Sequence, residues 1–253
     1  MMSTIGKTKA TAVYHEWQTD SLAAAGLNVA VEGATASDAT MSPTTRVGNR
    51  CQISQKTIKI SNTLNAVDKA GRKSEKAYQL AKASAEIKRD MELTLLSNQV
   101  ATNGNSSTAR AAGGLQAWLA TNYSGGTSGV AGASGTTART NGTNRTFTEA
   151  ILQTVVKSVY TAGGNPKILM VTPAHKQTVS GFAGIAAQRY MAPSNAPTTI
   201  IGAADVYLSD FGTLSVVPSR YMNSTNSADD VAFLLDPDMA AVAYLRPFQT
   251  NEL

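Results

Sequence analysis

The stretch VDKAGRKSEKAYQLAKASAEIKRDMELTLLSN, residues Val67–Asn98, decides the fold class of this chain. Strong helix formers dominate it, proline is absent, and its only glycine is Gly71. Asp68 is a candidate N-cap and Asn98 a stop signal, so the sequence predicts one helix over residues 68–98. Apolar or small residues at three-and-four spacing mark one face of it, namely Ala77, Leu80, Ser84, Ile87, Met91 and Leu95.

The predicted helix is long for a chain of 253 residues. At about 1.5 Å per residue it measures roughly 45 Å, which is the diameter expected of a compact domain of this length. A coiled coil is the main alternative, but Ala77 and Ser84 stand where a coiled-coil seam needs large side chains. The pattern favours a spine that runs along a flattened subunit.

The composition is poor in charge. Charged residues make up 15% of the chain, whereas about 25% is usual in soluble domains. Such a surface is typical of a secreted protein or of a subunit that its neighbours cover. The net charge of +5 indicates contact with nucleic acid only weakly. The opening residues lack a secretory signal pattern, and no apolar run approaches the ~18 residues of a membrane helix, which favours synthesis in a reducing cytoplasm and no membrane contact.

Side chains that support catalysis or metal binding are few and scattered. His15 and His175 have no second ligand at metal spacing, so neither a metal nor another cofactor is predicted. Cys51 is the single cysteine, and the alternation around it predicts a buried thiol in a strand. The glycine-rich run at 125–135 lacks the Gly-Lys-Ser/Thr of a phosphate-binding loop. We therefore expect no enzymatic activity.

Two alternating segments flank a long excursion near the start of the chain. Residues 10–19 and 46–61 predict strands, and the residues between them show little periodicity. Pairing of the two arms predicts a long protruding hairpin. Four basic residues of the second arm are interpreted either as a solvated face or as contacts with neighbouring subunits, namely Arg46, Arg50, Lys56 and Lys59.

The second half of the chain has an α/β pattern. Residues 110–122 predict a short helix, and residues 123–145 predict a loop rich in Gly, Ser and Thr. An amphipathic helix follows with Thr146 as its candidate N-cap, then the buried strand PKILMVTP and the short helix AHKQTVSGFAG. Four more strands are predicted in the segments TTIIGAADVYLSD, GTLSVVPS, VAFLLDP and MAAVAYLRPF. Together these elements predict an α+β protein.

This order of elements resembles the major capsid proteins of tailed bacteriophages with the Hong Kong 97 fold. The resemblance spans nearly the whole chain, and it is carried by HEWQTDSLAAA (His15–Ala25), the long-helix stretch up to Gln99, RAAGGLQAWLATN (Arg110–Asn122), YLSDFGTLSVVPSRYM (Tyr207–Met222) and LLDPDMAAVAYLRPFQT. A run such as AGRKSEKAYQLAKASAEIKRDME is far more specific than any short motif.

The resemblance implies a Hong Kong 97-type subunit with an extended loop, a peripheral domain built on a long spine helix, and an α/β axial domain. It assigns the remainder of an N-terminal arm to residues 1–13, the extended loop to 14–57, the peripheral domain to 58–146, the axial domain to 147–230 and strands that return to the peripheral domain to 231–253. It also implies an arm before MSTIGKTKA and further strand sequence after RPFQTNEL.

The function implied by the resemblance is structural. Copies of the chain are expected to self-assemble into hexamers and pentamers of an icosahedral or elongated head that encloses double-stranded DNA. A portal protein and decoration or scaffolding proteins are the other implied partners. The implied location is the virion, after assembly in the host cytoplasm. An encapsulin-like compartment shell and, less favoured, a low-charge surface adhesin are the alternatives.

Residues of the spine helix are the predicted assembly core. They are expected to pack the axial and peripheral layers together, and they are Tyr78, Leu80, Ile87, Met91 and Leu95. Replacing Ile87 with Asp is expected to bury an unpaired charge and to abolish assembly.

Overall fold

A computed structural model describes residues 1–36, 38, 41–67, 71, 73–182, 204–222 and 231–251. In these residues the strands are β1 (Gly6–Lys9), β2 (Tyr14–Thr19), β3 (Thr45–Arg50), β4 (Ile168–Val171), β5 (Val206–Ser209), β6 (Gly212–Pro218), β7 (Phe233–Leu235) and β8 (Ala241–Tyr244). The α-helices are α1 (Asn62–Ala66), α2 (Glu75–Leu96), α3 (Leu115–Trp118), α4 (Glu149–Thr161) and α5 (Pro173–Ser180), and a 3-10 turn covers Pro237–Met239. The mixture of helices and strands confirms the α+β class.

A four-stranded sheet with the order β5-β6-β4-β7 forms the centre of the α/β half. Strand β4 runs parallel to β6 and antiparallel to β7, and β5 pairs antiparallel with β6. All four residues of β4 are buried because both faces of the sheet are covered at this strand. This explains why the sequence ILMV is a continuous apolar run rather than an alternating one.

Each face of the sheet has its own hydrophobic core. Leu169 and Val171 face the cluster formed with helices α4 and α5. Ile168 and Met170 face the opposite cluster, to which helix α2 contributes Leu96. The end of the long helix is therefore fixed to the central sheet by apolar packing.

Helix α2 is shorter than predicted. It spans 22 residues, which is about 33 Å at 1.5 Å per residue. Ser74 is its N-cap, and the Ser74 side chain accepts a hydrogen bond from the Ala77 backbone at 3.2 Å. Gly71 has a left-handed φ of +92° and does not continue the helix. The start predicted at Asp68 is therefore wrong, although Asp68 itself lies outside the described residues.

Two small sheets complete the described structure. Strands β2 and β3 pair antiparallel from Tyr14↔Arg50 to Thr19↔Thr45, which confirms the predicted hairpin. Strand β1 pairs in parallel with β8, so segments close to both ends of the described chain lie side by side. Neither strand β1 nor the short helix α1 was predicted.

Several local predictions need correction. Helix α4 has Thr148 as its N-cap, without a side-chain capping bond, so the predicted cap at Thr146 is wrong. Strand β3 ends at Arg50, and Cys51 is half-buried just after it, donating weakly to the Ala12 carbonyl oxygen at 3.6 Å. The predicted strand in TTIIGAADVYLSD is observed at Val206–Ser209, and its first six residues lie outside the described residues.

Candidate assembly surface

The hairpin carries the most exposed apolar side chains of the described structure. Residues 20–44 connect β2 to β3, and we call them the tip segment. Large apolar side chains in it are almost fully exposed, with relative exposures of 99% for Leu22, 94% for Leu27, 88% for Val29 and 81% for Val31. The tip segment contains acidic residues but neither Lys nor Arg, although the whole chain has a net charge of +5. A concentration of exposed apolar side chains indicates a surface that another protein covers.

The base of the hairpin is attached to the body by amide side chains. The Asn49 side chain donates from Nδ2 to the Gly113 carbonyl oxygen at 3.0 Å. Its Oδ1 accepts from the Gly113 backbone N–H at 2.8 Å. An amide group offers both a donor and an acceptor, so Asn49 satisfies both backbone groups of Gly113 as a paired strand would.

A second pair of amides lies three residues further along. Gln52 Oε1 accepts from Gln99 Nε2 at 2.8 Å and from the Ala112 backbone N–H at 3.3 Å. Gln99 Nε2 also donates to the Ala112 carbonyl oxygen at 2.8 Å. We call Asn49, Gln52 and Gln99, with the backbone of Ala112 and Gly113, the amide clasp. Beside it, Arg110 Nε donates to the Cys51 carbonyl oxygen at 2.6 Å.

Two tryptophans pack next to the amide clasp. The rings of Trp17, on β2, and Trp118, at the end of α3, are 5.3 Å apart between centroids. Trp118 also lies against Gly135, where a Cβ would be 2.5 Å from the indole nitrogen. Gly135 has a φ of +71°, so both its conformation and its close contact require glycine.

The segment that contains Ala112 and Gly113 is also hydrogen-bonded to the end of α2. The Gly114 backbone N–H donates to the Gln99 carbonyl oxygen at 2.8 Å, and Gln116 Nε2 donates to the Leu96 carbonyl oxygen at 2.9 Å. A Cβ at Gly114 would lie 2.3 Å from the Ser97 carbonyl oxygen, which no substitution can accommodate without movement of the backbone. The sequence did not predict the clasp residues. The pair Gly113-Gly114, however, is typical of a site where another part of the chain comes close to the backbone.

The five predicted spine residues do not form the fully buried face of α2. Tyr78 is 49% exposed, and the other four, Leu80, Ile87, Met91 and Leu95, are half-buried in the single subunit. The buried residues of this helix are Ala83, Glu92 and Leu96. The predicted residues keep apolar surface that a neighbouring subunit could cover. Their role in assembly stays a prediction.

Three of the four predicted basic residues have partners within the chain. Arg46 donates to Glu16 Oε1 from Nε at 3.0 Å and from Nη2 at 2.8 Å, and this hydrogen bond raises the pKa of Arg46. The Arg50 guanidinium lies 4.0 Å from the centre of the Tyr14 ring.

The third basic residue ties the arm after β3 to the spine helix. Lys56 Nζ lies 2.9 Å from Asp90 Oδ2 on α2, and the hydrogen bond to Asp90 raises the pKa of Lys56. Lys59 is exposed. Contacts of these four residues with neighbouring subunits stay predictions, and the structure gives three of them a role in holding the hairpin.

Among the described residues, no three His, Cys, Asp or Glu side chains lie close enough to hold a metal ion. His15 packs against Trp17 on the hairpin, and His175 against Phe147 beside α5. Asp236 accepts a hydrogen bond from the Asp238 backbone N–H, which fixes a turn. In the described part of the chain, no helix is both long and apolar enough to cross a membrane.

Comparison with known proteins identifies the family. The profile of the SU10 major capsid protein family matches residues 1–253, the full length of this chain. The chain belongs to the SU10 major capsid protein family. It is also 34% identical over 215 residues to a protein of Escherichia phage Phieco32 described as "Major capsid protein". That match covers 72% of this chain and 61% of the relative, so the chain spans less than two thirds of the relative's length.

Membership of the SU10 major capsid protein family confirms the resemblance to phage major capsid proteins found in the sequence. It favours the phage capsid interpretation over the encapsulin-like compartment and the adhesin.

Proposed function

We propose that this chain is the shell-forming subunit of a tailed-phage head. Copies self-assemble into hexamers and pentamers, and these close into a shell around double-stranded DNA. The family match over residues 1–253 is the observation that carries the proposal. In such a shell, each subunit contacts the next through two different surfaces, and these heterologous contacts close into rings.

The subunit is proposed to have the Hong Kong 97 fold. The hairpin β2–β3 with its tip segment is the extended loop, and α2 is the spine helix of the peripheral domain. Helices α4 and α5 with strands β4, β5 and β6 form the axial domain, and the predicted return segment 231–253 adds β7 to the same sheet beside β4. Strand β8 returns to the peripheral domain, which is consistent with its parallel pairing to β1.

The tip segment is proposed to cover a neighbouring subunit. Leu22, Leu27, Val29 and Val31 expose nearly all of their side chains in the single subunit. Burial of one such side chain contributes about 1.5–3 kcal/mol, so four of them would contribute several kcal/mol to each contact. The acidic charges of the tip segment favour a basic partner surface.

The role is structural and not enzymatic. The virion is the proposed location, with assembly in the host cytoplasm before DNA is packaged. DNA contacts the inner face through its phosphates, without sequence preference. A portal protein and decoration or scaffolding proteins are the other proposed partners.

Electron microscopy of particles from infected cells, with nuclease digestion of the same fraction, tests this function. Uniform shells that contain this chain and protect DNA are the expected result. Shells that protect protein cargo and no DNA would instead support a compartment. If the chain occurs only in small particles without a shell at any salt concentration, the proposed function is wrong.

A variant pair tests the role of the tip segment. Leu27→Asp with Val29→Asp places two charges where apolar contacts are proposed, and we expect folded subunits that form no shells. Met239→Asp is the matched control, because Met239 is also an exposed apolar residue, at 83%, but lies on the 3-10 turn. Normal shells from the tip variant would contradict the proposed contact.

A further inference from the structure

The hairpin β2–β3 is not part of a larger sheet. Its two strands pair only with each other in the described structure, and the sheet β5-β6-β4-β7 and the pair β1–β8 are separate. Its direction relative to the body is therefore not set by backbone pairing across a continuous sheet. It is set by what holds its base.

Polar side chains contribute to that attachment, together with the Trp17–Trp118 contact and the Lys56–Asp90 ion pair. The amide clasp supplies five hydrogen bonds: two between Asn49 and Gly113, two accepted by Gln52 Oε1, and one from Gln99 to Ala112. Hydrogen bonds are directional, so a set of them fixes an angle more narrowly than apolar contacts do. The clasp thus constrains where the hairpin points.

The clasp connects the hairpin to α2 through a short path. Asn49 and Gln52 lie at the end of β3 and just beyond it, and they bind the backbone of Ala112 and Gly113. Gly114, the next residue, donates to the Gln99 carbonyl oxygen just after the end of α2. The base of the hairpin is therefore connected to the end of α2 through a short series of hydrogen bonds.

We propose that Asn49 and Gln52 are positioning residues that fix the direction of the hairpin against the spine helix before assembly. They thereby set the angle at which the tip segment meets the next subunit, and with it the curvature of the shell. The second half of this inference rests on the proposed function. Neither residue is expected to contact the neighbouring subunit for this role.

The clasp is separable from the two hydrophobic cores of the subunit. Neither hydrophobic core contains any of its residues, so removing its amides leaves the packing of both cores unchanged. Asn49, Gln52 and Gln99 are half-buried, whereas Gly113 is buried, so the loss of Asn49 lowers stability at the Gly113 backbone but leaves both cores intact. Loss of the clasp should therefore free the hairpin without unfolding the chain.

Distance measurement on unassembled subunits tests the first half of the inference. Spin labels are placed at Thr45→Cys on β3 and Lys88→Cys on α2, both exposed positions, in a Cys51→Ser background. Double electron–electron resonance then reports the hairpin-to-helix distance. We expect one narrow distribution in the parent protein and a broad one in Asn49→Ala with Gln52→Ala.

Two further variants make the result specific. Gln79→Ala with Gln153→Ala removes two amide side chains that bond to Glu75 and Tyr207, away from the hairpin, and should keep the distribution narrow. Asn49→Asp keeps the size and the acceptor but loses the donor to the Gly113 carbonyl oxygen, so it should broaden the distribution while folding normally. A narrow distribution in both clasp variants would overturn the inference.

Particle size tests the second half. Shells from the clasp variants should lose their uniform diameter, whereas the control keeps it. Broadened distances together with shells of normal diameter would show that the clasp does not set curvature. If the parent chain forms no shells, the proposed function fails, and the distance distributions still decide whether Asn49 and Gln52 position the hairpin.

Discussion

Truncation of Leu96 should destabilise the subunit far more than truncation of its neighbour Leu95. Leu96 has a relative exposure of 0% and packs in the cluster that contains Ile168, Met170, Met222, Phe233 and Leu235. Leu→Ala at a fully buried site costs about 2–5 kcal/mol because a cavity remains. Leu96 joins α2 to the central sheet, so we expect a cost in the upper part of that range, about 3–5 kcal/mol.

Leu95 provides a matched control. It has the same side chain and lies in the same helical turn, but it is half-buried. Burial of roughly half a leucine side chain contributes about 1 kcal/mol, so Leu95→Ala should lower the free energy of unfolding by about that amount. The difference between the two variants removes any shared effect on helix propensity.

Urea unfolding of the unassembled subunit, followed by circular dichroism, measures both costs. The midpoints are compared at equal slope, because a changed slope would indicate a changed denatured state. If Leu95→Ala lowers the midpoint as much as Leu96→Ala does, the assignment of Leu96 to the core is wrong. In that case the face of α2 predicted from the sequence, which contains Leu95, would be the correct one.

Three further predictions concern assembly, strain and pH. Ile87→Asp should leave the subunit folded, because Ile87 is only half-buried, yet block assembly; normal shells by electron microscopy would refute its role. Gly135→Ala should lower the thermal midpoint by more than Gly163→Ala does, since both have positive φ but only Gly135 lies against an indole; equal midpoints would contradict the contact with Trp118. Burial raises the pKa of Tyr207, so the stability present below its unfolded pKa of about 10 should be lost as the pH rises through the folded pKa. Tyr207→Phe should reduce that loss in alkaline denaturation, and an unchanged profile would exclude Tyr207 as its cause.

The central sheet was predictable because its signals are local. The run ILMV between Pro166 and Thr172 is short, rich in branched residues and bounded by turn signals, and it forms β4 with every residue buried. Alternation in GTLSVVPS likewise placed β6, whose Leu214 and Val216 face one core. These patterns follow from the geometry of a strand and need no knowledge of its partners.

The buried face of α2 was predicted less well, and Glu92 shows the reason. A carboxylate in a charged helix is ordinarily assigned to the solvent, yet Glu92 has a relative exposure of only 9%. Its Oε2 accepts a hydrogen bond from the Met2 backbone N–H at 2.9 Å. The partner lies 90 residues away along the chain, so no local periodicity could indicate that this charge is buried.

The amide side chains of the clasp could not be predicted from the sequence for a related reason. Asn49 and Gln52 bind backbone groups of Ala112 and Gly113, and a backbone group is present at every residue whatever its side chain. The apolar pattern located the hairpin because burial selects residue types. The direction of the hairpin depends instead on which backbone groups a few amides reach, and only the folded structure contains that information. The elements of this fold are thus predictable from the sequence, whereas the proposed direction of its hairpin depends on side chains that follow no periodic pattern.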